Sequence, residues 1–236
     1  MNKMDFVDVG GYRLLVTCQG EGPPSVIILA SQFDTVDDWQ PVLSAVSEFT
    51  HVCYYDRGGV GASEAGPVPR TSHTIATELH VLTGEANLKG PFVFVAASFG
   101  AFVCRLYAAE YPHQVAGAVF VDGEHPDQRT RLKGHLPKGW AWRPFEGVDW
   151  EASAAEVRAA RSLSDLPLIV LAAQDHKFLP TGEEAWLRMQ EEHANISAKA
   201  QLIMVAESGH HIYVDRPSIV VDAVRTVVDK VRGIPK

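Results

Sequence analysis

A serine at the end of an apolar run is the first residue whose position suggests chemistry. The run FVFVAA ends at Ala97, Ser98 follows directly, and apolar residues then recur at helical spacing with no room for a loop. A side chain on so sharp a turn has strained backbone angles and needs small neighbours, which Ala96 and Gly100 provide. The pattern predicts a serine nucleophile. The alternative is a serine that only caps a helix.

A serine hydroxyl is a poor nucleophile at neutral pH and needs an adjacent base, which an acid must orient. Such partners should lie at the ends of later strands. LPLIVLAAQD ends in Asp175, and LIMVAESGHH ends in His210 and His211. We expect His210 to take the proton of Ser98 and Asp175 to orient His210. A turn residue and a solvated pair of loop histidines are the alternatives for these positions.

The elements that would position these residues alternate along the chain, as in a parallel sheet covered on both faces. The dipeptide Gly10-Gly11 supplies the positive φ of a tight hairpin, so the sheet should open with an antiparallel pair and continue in parallel. The predicted fold is α/β, with a mostly parallel eight-stranded sheet flanked by helices. Strands are predicted at 5–9, 12–18, 25–30, 51–56, 91–97, 115–121, 167–173 and 200–205, and helices at 37–48, 71–87, 99–111, 183–194 and 217–232.

Residues 127–165 interrupt this alternation and are interpreted as an inserted lid. The prediction is a single domain over 1–236, because a segment of about 40 residues rarely folds alone. The aromatic residues of the lid either line a substrate pocket or anchor the lid on the core, since aromatic side chains dominate both environments. The candidates for substrate binding are Trp140, Trp142 and Phe145, with Trp150 nearby.

Composition limits the partners of the chain. The net charge is −8 and the 21 Lys and Arg residues are scattered, which argues against binding to nucleic acid. No run approaches the roughly 20 apolar residues of a membrane-spanning helix, and the first residues lack the apolar core of a signal peptide. We therefore expect a small, uncharged substrate, no membrane association and a cytoplasmic location.

The cysteines and histidines do not indicate a metal site. Cys18, Cys53 and Cys104 are widely spaced within apolar elements, so buried free thiols are expected. The histidines show no metal-ligand spacing. The segment DRGGVG at 56–61 lacks the Gly-Lys-Ser/Thr ending of a phosphate loop. The sequence thus predicts no metal and no cofactor.

The chain resembles the α/β-hydrolase superfamily over nearly its whole length. The segment AASFG is similar to the family's nucleophile turn, YYDRGGVGAS at 54–63 to the turn after its fourth strand, and SGHHIYVDRP at 208–217 to its histidine loop. In that loop the histidine usually follows Gly, with a proline seven residues later, which favours His210 over His211. The family's usual acid position matches Asp175. A known variant, with the acid after the preceding strand, would use Asp122 or Glu124.

The resemblance also implies an oxyanion hole and a reaction. The family commonly has His-Gly after its third strand, whereas this chain has Ala30-Ser31 followed by Gln32. The hole is assigned to the backbone N–H groups of Gln32 and Phe99. The implied function is a serine hydrolase that cleaves a small to medium carboxylic ester, thioester or lactone through an acyl-enzyme. The missing His-Gly leaves open a lyase or specialised biosynthetic enzyme with the same triad, and a non-catalytic ligand receptor is a third possibility.

Overall fold

The computed structural model describes residues 3–139, 142 and 145–234. Eight strands form one sheet in the spatial order β1-β2-β4-β3-β5-β6-β7-β8. The strands are β1 Lys3–Asp8, β2 Arg13–Gln19, β3 Val26–Leu29, β4 Val52–Tyr55, β5 Phe92–Ala97, β6 Val115–Val121, β7 Leu168–Ala173 and β8 Ala200–Val205. The helices are α1 Val36–Ser47, α2 Ser72–Glu85, α3 Gly100–Glu110, α4 Gln128–Arg131, α5 Trp150–Ala159, α6 Glu183–Ala194, α7 Ile212–Asp215 and α8 Pro217–Arg232.

The pairing of the strands confirms the predicted fold class. β2 pairs antiparallel with both β1 and β4, and every later pairing in the sheet is parallel. Because β3, β5, β6, β7 and β8 run in the same direction, their carboxyl ends meet at one edge of the sheet. The loops that leave this edge carry Ser98, Asp122, Asp175 and His210.

Apolar side chains cover both faces of the sheet. On one face β5 and β6 pack against α2 and α3 through residues such as Ile75, Phe94 and Phe102. On the other face they pack against α1 and α8 through residues such as Trp39 and Val224. The central strands are therefore buried on both sides, which explains why they are almost entirely apolar in sequence.

The junction between β5 and α3 leaves no space for a side chain at Gly100. A Cβ atom at this position would overlap the backbone carbonyl oxygen of Leu29 on β3. Glycine therefore allows α3 to start against the neighbouring strand, directly after Ser98. The sequence predicts a small residue at this position, and the structure shows the steric reason, which is the close approach of Leu29.

Two of the three cysteines are not free thiols as predicted. The antiparallel pairing of β2 with β4 places Cys18 opposite Cys53, with Cα atoms 4.1 Å apart, and the two form a disulfide. Cys104 is a free, buried thiol, as predicted. The prediction was wrong for the other two because β2 and β4 are neighbours in space while β3 lies between them in sequence. The cytoplasmic location stays a prediction.

The predicted lid segment, residues 127–165, contains α4 and α5. Gly147 and Asp149, shortly before α5, are hydrogen-bonded to Arg70 in the loop before α2. The N–H of Arg70 donates to Gly147 O at 2.9 Å, and the N–H of Asp149 donates to Arg70 O at 2.8 Å. Trp140 lies outside the described residues, so the structure does not test its predicted role. No helix in the described part of the chain is both long and apolar enough to cross a membrane.

We expect Gly100→Ala to lower the free energy of unfolding by about 3 kcal/mol, because the new methyl group has to displace β3 or α3 in a tightly packed region. Urea unfolding followed by circular dichroism measures this change. Gly84→Ala in α2 is the matched control, since a Cβ there meets nothing within 4 Å, and it should stabilise the protein by roughly 0.5–1 kcal/mol. Equal stability of the two variants would contradict the packing described for the β5–α3 turn.

Candidate active site

Ser98 occupies the sharp turn that the sequence predicted. Its φ is 50°, in the left-handed region that non-glycine residues seldom adopt. The turn is held from β6, because the N–H of Ser98 donates to Val121 O at 3.2 Å and its carbonyl accepts from the N–H of Glu124 at 2.9 Å. The strained conformation is thus fixed by the neighbouring strand, as is common at functional sites.

Of the two candidate histidines, His210 is the one that pairs with an acid, but the acid is Asp122 and not Asp175. Nδ1 of His210 donates to Asp122 Oδ2 at 2.7 Å. His211 instead precedes α7 and packs against Tyr213. Asp175 borders the same cavity, but its side chain is exposed to solvent. The prediction for Asp175 is corrected to Asp122, which the sequence had offered as the variant position.

The position of Asp122 explains this choice. It directly follows β6, which is the neighbour of the nucleophile strand β5, and its carboxylate is fully buried. Burial opposes ionisation of this carboxyl, but hydrogen bonds from His176 and His210 lower its pKa to about 2. Asp122 is therefore an anion throughout the neutral range and can orient an imidazole. Its φ of 47° is also left-handed, like that of Ser98.

The backbone N–H groups of Gln32 and Phe99 are available for an oxyanion. Among the residues that the structure describes, no acceptor is bonded to either group. The loop that carries Gln32 is fixed from below by Arg57, whose guanidinium donates to the carbonyls of Ala30 and Ser31 at 2.6 and 2.7 Å. Because the peptide unit is planar, the direction of each fixed carbonyl determines the direction of the N–H group of the next residue. The predicted assignment of the hole to Gln32 and Phe99 stays a prediction.

Arg57 also connects the loop that carries Gln32 to Glu146, in the predicted lid segment. Its Nε and Nη2 atoms each lie 2.7 Å from a carboxylate oxygen of Glu146, and both side chains are almost completely buried. Burial alone would disfavour the charged guanidinium, but the adjacent Glu146 carboxylate raises the pKa of Arg57. The bidentate pair is geometrically specific, so it sets the position of residue 146 relative to residues 30–32.

Glu124 is a second buried carboxyl at the site. Gln32 Nε2 donates to Glu124 Oε1 at 2.6 Å, and Trp150 Nε1 donates to its Oε2 at 2.7 Å. Burial raises the pKa of this carboxyl. Glu124 therefore joins the loop that carries Gln32 to the start of α5.

Ser98 and His210 border one cavity of about 1310 Å³, which residues of the predicted lid segment also line. Trp142 lies on its wall, and its role in substrate binding stays a prediction. Phe145 does not line the cavity: it is buried in the core with its ring centroid 5.0 Å from that of Phe99. The substrate-binding prediction for Phe145 is therefore wrong, and its second interpretation, an anchor for the lid, describes it. Other aromatic residues of the wall are Phe33, Trp150, Phe178 and Trp186.

Two groups of side chains in the described part of the chain have metal-binding geometry. They are Asp122 with His176 and His210, and Cys18 with His51 and Cys53. In the first group the candidate ligand atoms are joined by hydrogen bonds, and in the second the two sulfur atoms are joined to each other. Strand pairing assembles both groups, which is why spacing along the sequence does not indicate them.

Comparison with known proteins agrees with this architecture. The family model described as alpha/beta hydrolase fold matches residues 24–143. The chain therefore belongs to the α/β hydrolase fold family. It is 25% identical over 208 residues to YqjL, an uncharacterized protein of Bacillus subtilis (strain 168), a match that covers 86% of this chain and 82% of the relative.

Solved structures with the same fold include a candidate lipase (lip1) from Acinetobacter baumannii AYE and the carboxylesterase CesB (YbfK) from Bacillus subtilis. The first has a TM-score of 0.76 and 18% identity, with 99% of this chain and 93% of that chain covered. The second has a TM-score of 0.70 and 14% identity, with 96% and 91% covered. These likenesses establish the fold, while the chemistry must be argued from the site.

We expect Asp122→Asn to slow the reaction of the protein with a fluorophosphonate by roughly a thousandfold or more, because the orienting acid of such a triad fixes the histidine tautomer. Asp175→Asn is the matched control and should change the rate by less than threefold. Stopped labelling reactions analysed by intact mass give both rates. A large loss in Asp175→Asn with a normal rate in Asp122→Asn would restore the original assignment of the acid.

Proposed function

We propose that this protein is a serine hydrolase that cleaves carboxylic esters, thioesters or lactones by acyl transfer. The observation that carries the proposal is that His210, bonded to the buried Asp122, lines the same cavity as Ser98, which sits on a strained strand-to-helix turn. The turn at Ser98 destabilises the fold through backbone strain, and the His210–Asp122 pair does so because the charge of Asp122 is buried. Their convergence on one cavity is what an activated nucleophile requires.

In the first half of the proposed reaction, Ser98 Oγ attacks the carbonyl carbon while His210 Nε2 accepts the hydroxyl proton. The carbonyl oxygen becomes an oxyanion that accepts hydrogen bonds from the N–H groups of Gln32 and Phe99. Asp122 holds the Nδ1 proton of His210, so that Nε2 is the free base. When the tetrahedral intermediate collapses, the bond to the leaving oxygen or sulfur breaks, and His210 returns the proton to the leaving group.

In the second half, water replaces the leaving group. His210 Nε2 takes a proton from the water as its oxygen attacks the acyl carbon, and the same oxyanion site stabilises the second intermediate. The bond to Ser98 Oγ then breaks, the serine regains its proton from His210, and a carboxylic acid is released. No redox partner is needed, since every step is a proton transfer or an acyl transfer.

Membership of the α/β hydrolase fold family supports a hydrolase, and the esterase named among the structural neighbours has the same fold. Because one fold can carry many reactions, this support is general. The bond class follows from the site: the serine supplies a nucleophile for acyl transfer, and a cavity of this size accepts a small to medium substrate.

The charge of the cavity favours a neutral or cationic substrate. Its aromatic wall suits an apolar body, whereas acids outnumber bases among the described residues that border it. The acids are Asp34, Asp38, Glu124, Asp175, Glu207 and Asp215, and the bases are Arg129 and Lys177, with the histidines His176, His210 and His211. A net negative potential in a cavity raises the local concentration of cations and repels carboxylates.

We expect a fluorophosphonate to add once to the protein, with loss of fluoride, and to leave Ser98→Ala unmodified. Only a serine activated by a base reacts at an appreciable rate. Intact-protein mass spectrometry before and after treatment detects the adduct. Ser44→Ala, at an exposed serine of α1, is the control and should label like the unaltered protein. Absence of an adduct, or an adduct that persists in Ser98→Ala, would contradict the proposal.

We also expect esters with a carboxylate at the end of the acyl chain to be poorer substrates. In three aryl esters of equal acyl length, ending in methyl, trimethylammonium or carboxylate, kcat/KM for the carboxylate should be about tenfold or more below that of the methyl ester, since like charge disfavours binding. The matching comparison is between the methyl and trimethylammonium esters, which should differ less. A preference for the anionic ester would show that the acids do not set the potential at the acyl site.

A further inference from the structure

Asp122 is bonded to a second histidine that the acyl-transfer scheme does not use. Nε2 of His176 lies 2.7 Å from Asp122 Oδ2, the same oxygen that accepts from His210. Nδ1 of His176 lies 2.9 Å from Glu183 Oε1 at the start of α6. The His176 side chain is completely buried. Its ring centroid lies 6.2 Å from that of His210.

The two bonds of His176 determine how many protons it carries. An ionised carboxylate only accepts hydrogen bonds, and a neutral imidazole has only one N–H to donate. Both ring nitrogens of His176 face carboxylate oxygens, so both must donate, and the ring is an imidazolium. Burial opposes this charge, but the hydrogen bonds and charges of Asp122 and Glu183 outweigh it and raise the pKa of His176.

We propose that His176 is a positioning residue: held as an imidazolium between Asp122 and Glu183, it fixes the Asp122 carboxylate and offsets part of the negative charge that this carboxylate presents to His210. The inference rests on the proposed function, in which His210 is the base.

The electrostatic reason is that Asp122 has two opposing effects on His210: it orients the imidazole, and its charge also favours the protonated ring. A carboxylate next to a histidine favours the protonated imidazole, and a protonated His210 cannot accept the proton of Ser98. The positive charge of His176 lies close enough to offset part of this effect. His176 thus lets Asp122 orient His210 strongly without holding it in its inactive, protonated form.

The charged and titratable groups around His176 come from several segments. Glu183 offsets part of the positive charge but is partly exposed, so solvent screens it more than the buried ring. The remaining contacts with α6 are aromatic, through Trp186, whose ring centroid lies 4.9 Å away. The groups are Asp122 after β6, Glu183 on α6, His210 after β8, and Asp175 and Lys177 in the loop that contains His176.

The proton count can be measured directly by NMR. In ¹⁵N-labelled protein at pH 7.5, two-bond ¹H–¹⁵N spectra should show both ring nitrogens of His176 protonated, with the assignment made from the signals lost in His176→Gln. A single protonated nitrogen at this pH would overturn the proposal. This measurement needs no substrate, so it is decided independently of whether Ser98 is a nucleophile.

The effect on His210 is tested by variants. In His176→Gln the amide can still donate to Asp122, but the charge is gone. A charge about 6 Å away should move the pH midpoint of the His210 ring signals, and the acid limb of kcat/KM for an aryl ester, upward by about one pH unit. Glu183→Gln should do the same, because His176 loses the negative charge that helps to hold its second proton.

The matched control is Glu184→Gln. This neighbouring carboxylate is exposed and pairs with Arg188 along α6, so the same change in charge should leave the His210 midpoint within about 0.2 pH unit. An unchanged or lowered midpoint in His176→Gln would overturn the proposal. If the NMR midpoint rises but no ester is cleaved and no fluorophosphonate adduct forms, the charge assignment stands and the proposed hydrolase function fails.

Discussion

The carboxylate of Asp122 is the contact point on which the site depends, because it joins four separate segments at the carboxyl edge of the sheet. Its Oδ1 accepts from the N–H of Ala173 and the indole of Trp186, and its Oδ2 accepts from His176 and His210. With four donors, every lone pair of the buried anion is used. A charge buried at this depth is stable only with such partners, so β7, α6 and both histidine-bearing loops are held to one point.

Arg57 performs the corresponding task on the other side of Ser98. It is a buried cation whose guanidinium binds two carbonyls of the loop that carries Gln32 and both oxygens of Glu146. The same ion pair therefore fixes that loop relative to residue 146 of the predicted lid segment. A buried anion thus orders the His210 side of the site, and a buried cation orders the Gln32 side. Preorganisation of this kind is what stabilises a developing charge without rearrangement during the reaction.

Features that depend on residues close together in the chain could be predicted from the sequence. The central parallel strands follow from near-continuous apolar runs, the antiparallel start of the sheet follows from Gly10-Gly11, and the turn at Ser98 follows from the small residues around it. Asp175 and Asp122 both follow a buried strand, so choosing between them required the three-dimensional position of the His210 ring. The disulfide between Cys18 and Cys53 depends on β2 pairing with β4 across the sheet. The role of His176 was missed for the same reason, since its partners lie on β6 and α6.

The most direct test of the account is a crystal structure of the protein after reaction with a small fluorophosphonate, whose phosphonyl group mimics the tetrahedral intermediate. We expect phosphorus bonded to Ser98 Oγ, its oxygen within hydrogen-bond distance of the N–H groups of Gln32 and Phe99, and His210 Nδ1 still bonded to Asp122. A phosphonyl group on another residue, or His210 turned away from Asp122 in the adduct, would contradict the central claim that these residues form one catalytic site.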